Sequence, residues 1–378
     1  MLNMLMPTGD SNPFRFTGPI SPSEMIDRED ETASLLANAS GGHLSRLEAP
    51  RRYGKTSLLG RTGAEAAAAG TAVAVVDFED VLSLGAVVAR IERAYSRSLK
   101  GSLRRWVDRH LSSLELGLSL GPVGFGMTLK TNPAIDPEPV LLRLLELPEE
   151  IFAKRGVRSL IVFDEVQGLL RVDGAPGIVR SVIQHHPDAA SYVFAGSAAT
   201  LMRKLFDEPS APFLSQGVVV GLPPLSAEDV SLELERRFGR SGRDPGDALS
   251  ELVRFARGHP QRVMLLAHHL WRLTRDGVPA SVDEWLDARD AALESSEQAL
   301  RASLGSLPLN EQRAAQALAT APGSPSSQGT LRLVGLSRNS AYSALEALKD
   351  RGEAIETPNG LRLADPLLEY WLREKKEM

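Results

Sequence analysis

The sequence has no cysteine, so disulfides and thiolate metal sites are excluded. That fits a reducing compartment, and a soluble, cytoplasmic protein is the expectation. A long apolar run is also missing. The most apolar stretch, Ala64 to Val76, is broken at Gly70 and falls short of the roughly 20 residues a membrane span needs. Met1-Leu-Asn-Met-Leu-Met-Pro7 is apolar but too short and too uncharged for a secretory signal. Nor is there a net positive charge. The formal balance is -5, so no global field draws the chain to nucleic acid or anionic lipid. Any DNA contact must come from a local basic patch. No internal repeat is evident.

What is present is length, apolar material and a regular alternation of strands and helices. A chain of 378 residues suits two or three domains. Hydrophobic residues at 43% against 24% charged supply a real core. After an extended lead-in over residues 1 to 24, Asp27 to Leu36 opens a helix with acids in its first turn, which suits the helix dipole. Strands are expected at His43–Glu48, Thr71–Phe78, Arg158–Asp164, Ser191–Ser197 and Gly217–Leu222, separated by helices. The near-continuous aliphatics of Thr71–Phe78 point to a strand buried on both faces of a parallel sheet. The sum is a three-layer α/β fold. The segment from about 112 to 130 alternates apolar with small residues around Gly121-Pro122 and reads as an inserted hairpin. Beyond Pro224 only helices follow, to about Ser306. From Leu309 three helices, a hairpin turning at Asn359-Gly360 and a last helix, Pro366 to Glu374, give the winged-helix plan. The expected boundaries are 1–224 for the lead-in and α/β core, 225–306 for a helical segment, and 307–378 for the winged helix.

Three strand ends carry the chemistry. Ala49-Pro-Arg-Arg-Tyr-Gly-Lys-Thr56 fits the phosphate-binding loop, with alanine in place of the usual first glycine. Such a loop aims backbone N–H groups at phosphates, and the following helix adds positive potential. Pro50, Arg51, Arg52, Tyr53, Gly54, Lys55, Thr56 and Ser57 are therefore the expected nucleotide-contacting residues. Lys55 would reach the β- and γ-phosphates, and the Thr56 hydroxyl would hold Mg²⁺. The second end is Asp164-Glu165, where Asp164 would organise Mg²⁺ and its waters and Glu165 would activate the attacking water. Both acids could instead simply cap the next helix. The third is Ser197, within reach of the γ-phosphate or the water, or else a cap for Ala198 to Phe206. All three lie at carboxyl ends of parallel strands, where ligands of such sheets bind.

The set Arg51-Arg-Tyr-Gly-Lys-Thr-Ser-Leu-Leu59, Val162-Phe-Asp-Glu165, Ala195-Gly-Ser-Ala-Ala-Thr-Leu-Met202, Gly258-His-Pro260 and Asp365-Pro-Leu-Leu-Glu-Tyr-Trp-Leu372 resembles the archaeal-type ATPase family of the AAA+/STAND P-loop ATPases. The resemblance runs from about Asn12 to Leu372. It implies an AAA+ core, a lid and a winged helix, with ATP or ADP and Mg²⁺ as cofactors. It implies metal ligation by Thr56 and Asp164, hydrolysis through Glu165 and Lys55, and γ-phosphate sensing by Ser197. Pro260 would contact the nucleotide from the lid, where Arg262 is a candidate second sensor. Asn12-Pro-Phe14 and Asp27-Arg-Glu29 would lie near the adenine. Family members often carry an arginine after a Pro-Leu-Tyr segment; here that segment reads Pro212-Phe-Leu-Ser-Gln216, which implies slow hydrolysis or an arginine from elsewhere, such as Arg203.

The function expected is an ATP-driven switch that repositions the winged helix, with a possible protein partner and no membrane partner. Two alternatives stay open: a DNA-binding ATPase related to replication initiators, or a nucleotide-dependent interaction protein with little hydrolysis. For DNA, Arg338, Asn339 and Tyr342 on the third winged-helix helix could face a major groove, with Arg362 on a phosphate.

Overall fold

A computed structural model describes residues 11–18, 20–99, 101–113 and 136–374. The expected hairpin at about 112–130 lies outside the described residues, apart from the end of a helix over 112–113. By its contacts the chain divides into two compact units. One comprises Arg28–Ala49 and Lys55–Leu222; the other comprises the segment up to Asp27, the short stretch Pro50–Gly54, and the chain from Pro223 onward.

The first unit is built on a five-stranded sheet whose described pairings are all parallel. Its strands are β1 (Ser45–Glu48), β2 (Ala72–Asp77), β3 (Ser159–Asp164), β4 (Ala190–Gly196) and β5 (Val218–Gly221), in the order β2-β3-β4-β1-β5. All of β3 and β4 is buried, as their unbroken apolar runs require. On one side Val76, Phe163 and Phe194 join a single apolar cluster with α3 (Leu84–Ser98), a helix over Pro137–Arg155 and a helix over Ala175–Ile183. The alternate residues Leu160, Val162, Val193 and Leu47 are buried too, as are Leu35 of α1 (Glu29–Ser40) and Leu58 and Leu59 of α2 (Lys55–Ala68). The period-2 alternation of strand side chains thus feeds two layers from one sheet.

One expectation fails here. β2 is not buried on both faces: its residues alternate, and Val75 is 38% exposed. Its only described pairing is to β3, and a strand at a sheet edge needs an apolar inner face only. The chain after β2 forms two helices, α3, capped by the Ser83 hydroxyl accepting from Ala86 N–H, and α4 (Gly101–Ser113). The next two helices are α5 (Pro137–Arg155) and α6 (Ala175–Ile183), and the one after β4 is α7 (Ala199–Phe206).

The second unit is helical: α8 (Ala227–Arg240), α9 (Ala248–Ala256), α10 (Pro260–Leu273), α11 (Val282–Gly305), α12 (Leu309–Thr320), α13 (Gln328–Val334) and α14 (Arg338–Asp350). A hairpin, β6 (Ala354–Thr357) and β7 (Gly360–Leu363), and the last helix, α15 (Pro366–Glu374), complete it. Serine hydroxyls cap α8, α11, α13 and α14 at Ser226, Ser281, Ser327 and Ser337, each satisfying a first-turn N–H. One apolar cluster runs through this unit from Phe14 to Leu372. The lead-in is strapped onto it: Asn12 Nδ2 donates to the His268 carbonyl, and Phe14 is buried against Phe238. Helices α12, α13 and α14 followed by the hairpin make the expected winged helix. The turn, however, is Pro358-Asn359, because Thr357 pairs with Gly360. Proline fixes the first turn residue's φ, and Gly360, at φ 101°, takes the conformation that leads back into β7.

Candidate functional site

In the first unit, β1, β3 and β4 lie side by side, and five of the expected residues, Lys55, Thr56, Asp164, Glu165 and Ser197, meet at the ends of β3 and β4. Thr56, in the first turn of α2, donates from Oγ1 to Asp164 Oδ2 at 3.1 Å. Lys55, 7% exposed, places Nζ 3.2 Å from Glu165 Oε1. Ser197 Oγ donates to Glu165 Oε2 at 2.9 Å. The structure decides against the capping alternatives. Among the described residues Asp164 Oδ1 accepts from the adjacent Glu165 N–H, and Glu165, at φ 48°, makes no side-chain cap bond to the 3-10 turn Val166–Arg171. Helix α7 starts at Ala199 without a side-chain cap, leaving the Ser197 hydroxyl on Glu165.

The electrostatics separate the two acids. Burial raises the Asp164 carboxyl, assisted by the neighbouring Glu165 charge, and the Lys55 ammonium and the Thr56 bond only partly offset this. Burial also pushes Glu165 upward, but Lys55 and hydrogen bonds from Gln167, Ser197 and Lys55 outweigh it and hold the carboxyl below its usual value. One lysine thus faces two carboxylates, a local deficit of positive charge that a divalent cation would fill. Thr56 and Asp164 supply two hard oxygens. Among the described residues no group of three His, Asp or Glu is arranged to hold a metal.

Gln167 was not singled out from the sequence. It donates from Nε2 to Glu165 Oε2. Its only sequence signal is position: two residues past the glutamate, in a turn too tight to carry it away.

The loop between β1 and α2 groups by contacts with the second unit. Gly54 has φ 89°, and a Cβ there would meet nothing within 4 Å: the backbone conformation requires glycine, and the space beside it is open, as a phosphate cradle needs. Ala49 is not among the positive-φ residues, so alanine replaces the motif's first glycine without strain. Arg51 and Arg52 are exposed, Tyr53 is 2% exposed, and Ser57, in α2, is buried. Tyr53 packs edge-on to His259 at 5.1 Å between ring centroids. Arg52 Nη1 lies 4.0 Å from Asp365 Oδ2, and burial raises the Glu353 carboxyl above its usual value, an effect the Arg51 charge only partly offsets.

Gly258-His259-Pro260 has a local reason. Gly258, at φ 70°, sits against the Leu225 backbone where a Cβ would overlap. His259 Nδ1 accepts from Arg262 N–H, and Pro260 occupies the first position of α10, where its missing N–H costs nothing. Arg262, expected to sense nucleotide, is 2% exposed and bonded through both Nε and Nη2 to Asp365. The Pro212–Gln216 segment buries Phe213 and leaves Leu214 43% exposed. On α14, Arg338 and Asn339 are exposed and Tyr342 is 69% exposed, but Arg362 is bonded to Glu369.

No family model matches the sequence, and no curated protein matches it. Solved structures do match. The Walker-type ATPase of Pyrococcus abyssi is 19% identical with a TM-score of 0.71, over 96% of this chain and 99% of that one. The ORC2 protein of Aeropyrum pernix, solved in ADPNP–ADP complexes, is 18% identical with a TM-score of 0.58, over 96% and 98%. In its ADP form the TM-score is 0.53 at 16% identity. At such identities the likeness establishes the fold: this chain has the architecture of the archaeal-type AAA+ P-loop ATPases, a parallel-sheet core followed by helices and a winged helix.

Proposed function

We propose that the protein binds ATP with Mg²⁺, hydrolyses it slowly, and acts as a nucleotide-dependent switch. The observation that carries the proposal is the cluster at the ends of β3 and β4: Thr56 on Asp164, and Lys55 and Ser197 on Glu165. Three chain segments contribute hydroxyl, ammonium and carboxylate groups of the kinds phosphoryl transfer to water uses. The Lys55 ammonium would pass to the phosphates when nucleotide is bound. Thr56 and Asp164 would hold Mg²⁺, which supplies charge neutralisation at the phosphates. Glu165 would orient a water and take its proton, and Ser197 would sense the γ-phosphate. Adenine is favoured because the ORC2 neighbour was solved in ADPNP–ADP complexes. Slow turnover is favoured because Pro212–Gln216 contains no arginine.

The switch part rests on the second unit. There Arg52 lies near Asp365, Glu353 feels the Arg51 charge, and Tyr53 packs on His259. Loop residues expected to meet phosphate are thus engaged with acids and a histidine of the lid and winged helix. A triphosphate would compete for those cations, and that competition is the means by which nucleotide would reposition the winged helix. No helix among the described residues is long and apolar enough to cross a membrane; a cytoplasmic location and a protein partner remain part of the proposal.

Isothermal titration with Mg²⁺-ATP tests the binding. Lys55→Ala should weaken affinity roughly 10- to 100-fold, the worth of a charged hydrogen-bond donor; unchanged affinity refutes the site. Steady turnover that vanishes in Glu165→Gln supports hydrolysis, whereas no turnover in the unmodified chain favours an interaction protein that binds without hydrolysing. A DNA-binding ATPase is the second reading, favoured by the exposed Arg338, Asn339 and Tyr342; duplex binding that weakens as salt rises is its test.

A further inference from the structure

We infer that Gln167 is the positioning residue of the Glu165 carboxylate, gripping one oxygen so that the other is presented to the attacking water. The inference rests on the hydrolytic reading of this site. Both oxygens of Glu165 are occupied, but by different kinds of partner. Oε1 takes Lys55 Nζ at 3.2 Å. Oε2 takes the Gln167 amide and the Ser197 hydroxyl, the latter at 2.9 Å. The Lys55 bond is the exchangeable one, because a phosphate group would draw the same ammonium. Loss of that bond frees Oε1 alone. Oε2 keeps the Gln167 amide even when the Ser197 hydroxyl turns to the γ-phosphate, so the carboxylate stays anchored and the direction of its free oxygen is set before water arrives.

The surroundings of Gln167 fit this task. It stands in the 3-10 turn Val166–Arg171, whose path depends on Gly168 lying against the Phe78 carbonyl, where a Cβ would overlap. A Cβ on Gly196, the last residue of β4, would collide with Gln167 Oε1 and with the Met202 thioether. Glycine at 196 therefore leaves the room in which the carboxamide lies. Gln167 Oε1 is sealed from solvent and has no hydrogen-bond partner among the described residues. An amide placed only to satisfy its own polar atoms would not be left so; its nitrogen end makes the bond that matters. The assignment of nitrogen to that end follows from Glu165 being an acceptor when ionised.

The test separates position from binding and from folding. Gln167→Met keeps the side chain's length and removes the donor. Wild type, Gln167→Met, Gln167→Glu and Glu165→Gln are compared for Mg²⁺-ATP turnover, nucleotide affinity and melting temperature. We expect both Gln167 variants to lose 10- to 100-fold in kcat, the scale of a misplaced catalytic group, with KM and affinity within about twofold of wild type. A kcat within twofold of wild type in Gln167→Met overturns the inference while leaving the hydrolytic reading intact. Parallel loss of kcat, affinity and melting temperature in both variants also overturns it, because Gln167 is then a structural residue. If Glu165→Gln itself retains full turnover, the hydrolytic reading fails, and with it any role for an anchor on Glu165.

Discussion

Each unit of the molecule sets a buried carboxylate beside a half-buried one, Asp164 with Glu165 and Glu369 with Asp365, and the two pairs are balanced in opposite senses. In the sheet unit, Asp164 and Glu165 share one ammonium, Lys55, with hydroxyls and an amide completing the set. In the helical unit, Glu369 alone meets Arg257, Arg362 and Arg373, and Asp365 meets Arg262 bidentately with Arg52 nearby. The Glu369 side chain is 1% exposed, yet its oxygens are consumed by cations. The first pair lacks positive charge and can take more; the second has a surplus and is closed. The comparison teaches that burial of acids does not mark a reactive site. What sets the proposed site apart is an unmet charge at the carboxyl ends of parallel strands.

The largest test of that contrast is chemical. Glu165→Gln keeps shape and hydrogen bonding but removes the base, so turnover should fall by about 10²- to 10⁴-fold, equivalent to roughly 3–5 kcal/mol of barrier. Its melting temperature should stay near wild type, because the amide can still accept from Lys55 or Ser197. A variant that unfolds instead would show that this pair, too, is structural.

The reverse holds for the closed cluster. Glu369→Ala strands three arginines, and breaking a wholly buried pair costs roughly 3–5 kcal/mol. These partners are 26%, 30% and 51% exposed and can turn to solvent, so about 2–3 kcal/mol is expected. Chemical denaturation followed at Trp285 and Trp371, which lie in the second unit, reads it. Nucleotide affinity that fell more than this stability would break the distinction between the pairs.

How much of this was legible beforehand follows the range of each interaction. The loop Ala49–Thr56 stood out between β1 and α2 because its motif is written in eight consecutive residues. The strand ends at Asp164, Glu165 and Ser197 were legible because an apolar run closing on a polar residue is a local pattern. The Arg262–Asp365 pair spans 103 positions in the chain, and no spacing rule connects them, so Arg262 read as free to sense nucleotide. Gln167 was hidden because its role depends on the left-handed Glu165 and the Gly168 turn, neither a periodic feature. Val75 misled because five aliphatics in a row do not say whether a strand has one neighbour or two. The hairpin turn was displaced by one residue because Asn359-Gly360 is the commoner signal, and Pro358 took precedence.

A smaller effect is set by pH, and it falls on the second unit. Burial depresses the His259 imidazole to about 4, with Arg262 and Arg52 adding to the effect and Asp365 opposing it. The unfolded chain binds a proton there near pH 6.5, and the folded chain does not. The stabilisation is therefore complete above about pH 6.5 and is lost as pH falls toward 4, with about 2 kcal/mol gone at pH 5. His259→Asn, which can still cap α10, should flatten this slope relative to wild type in denaturation measured between pH 4 and 7. An unchanged slope would assign the acid sensitivity to other groups.

The smallest expected effect lies outside both carboxylate pairs. Arg338, Asn339 and Tyr342 project from the start of α14, and nearby basic groups are taken: Lys349 pairs with Glu356, and Arg362 with Glu369. Arg338→Ala and Tyr342→Ala should change stability by no more than about 0.5 kcal/mol, as surface substitutions do. Their value is in binding. If α14 enters a duplex groove, Arg338→Ala should lower the salt dependence of DNA affinity by about one ion per lost phosphate contact, while Glu369→Gln, by releasing Arg362, should raise affinity. A chain that shows no salt-sensitive duplex binding at low ionic strength, with Arg362 released as well as paired, does not use this face for DNA. The exposed tyrosine would then belong to a protein contact, and the closed arginine cluster around Glu369 to the stability of the unit alone.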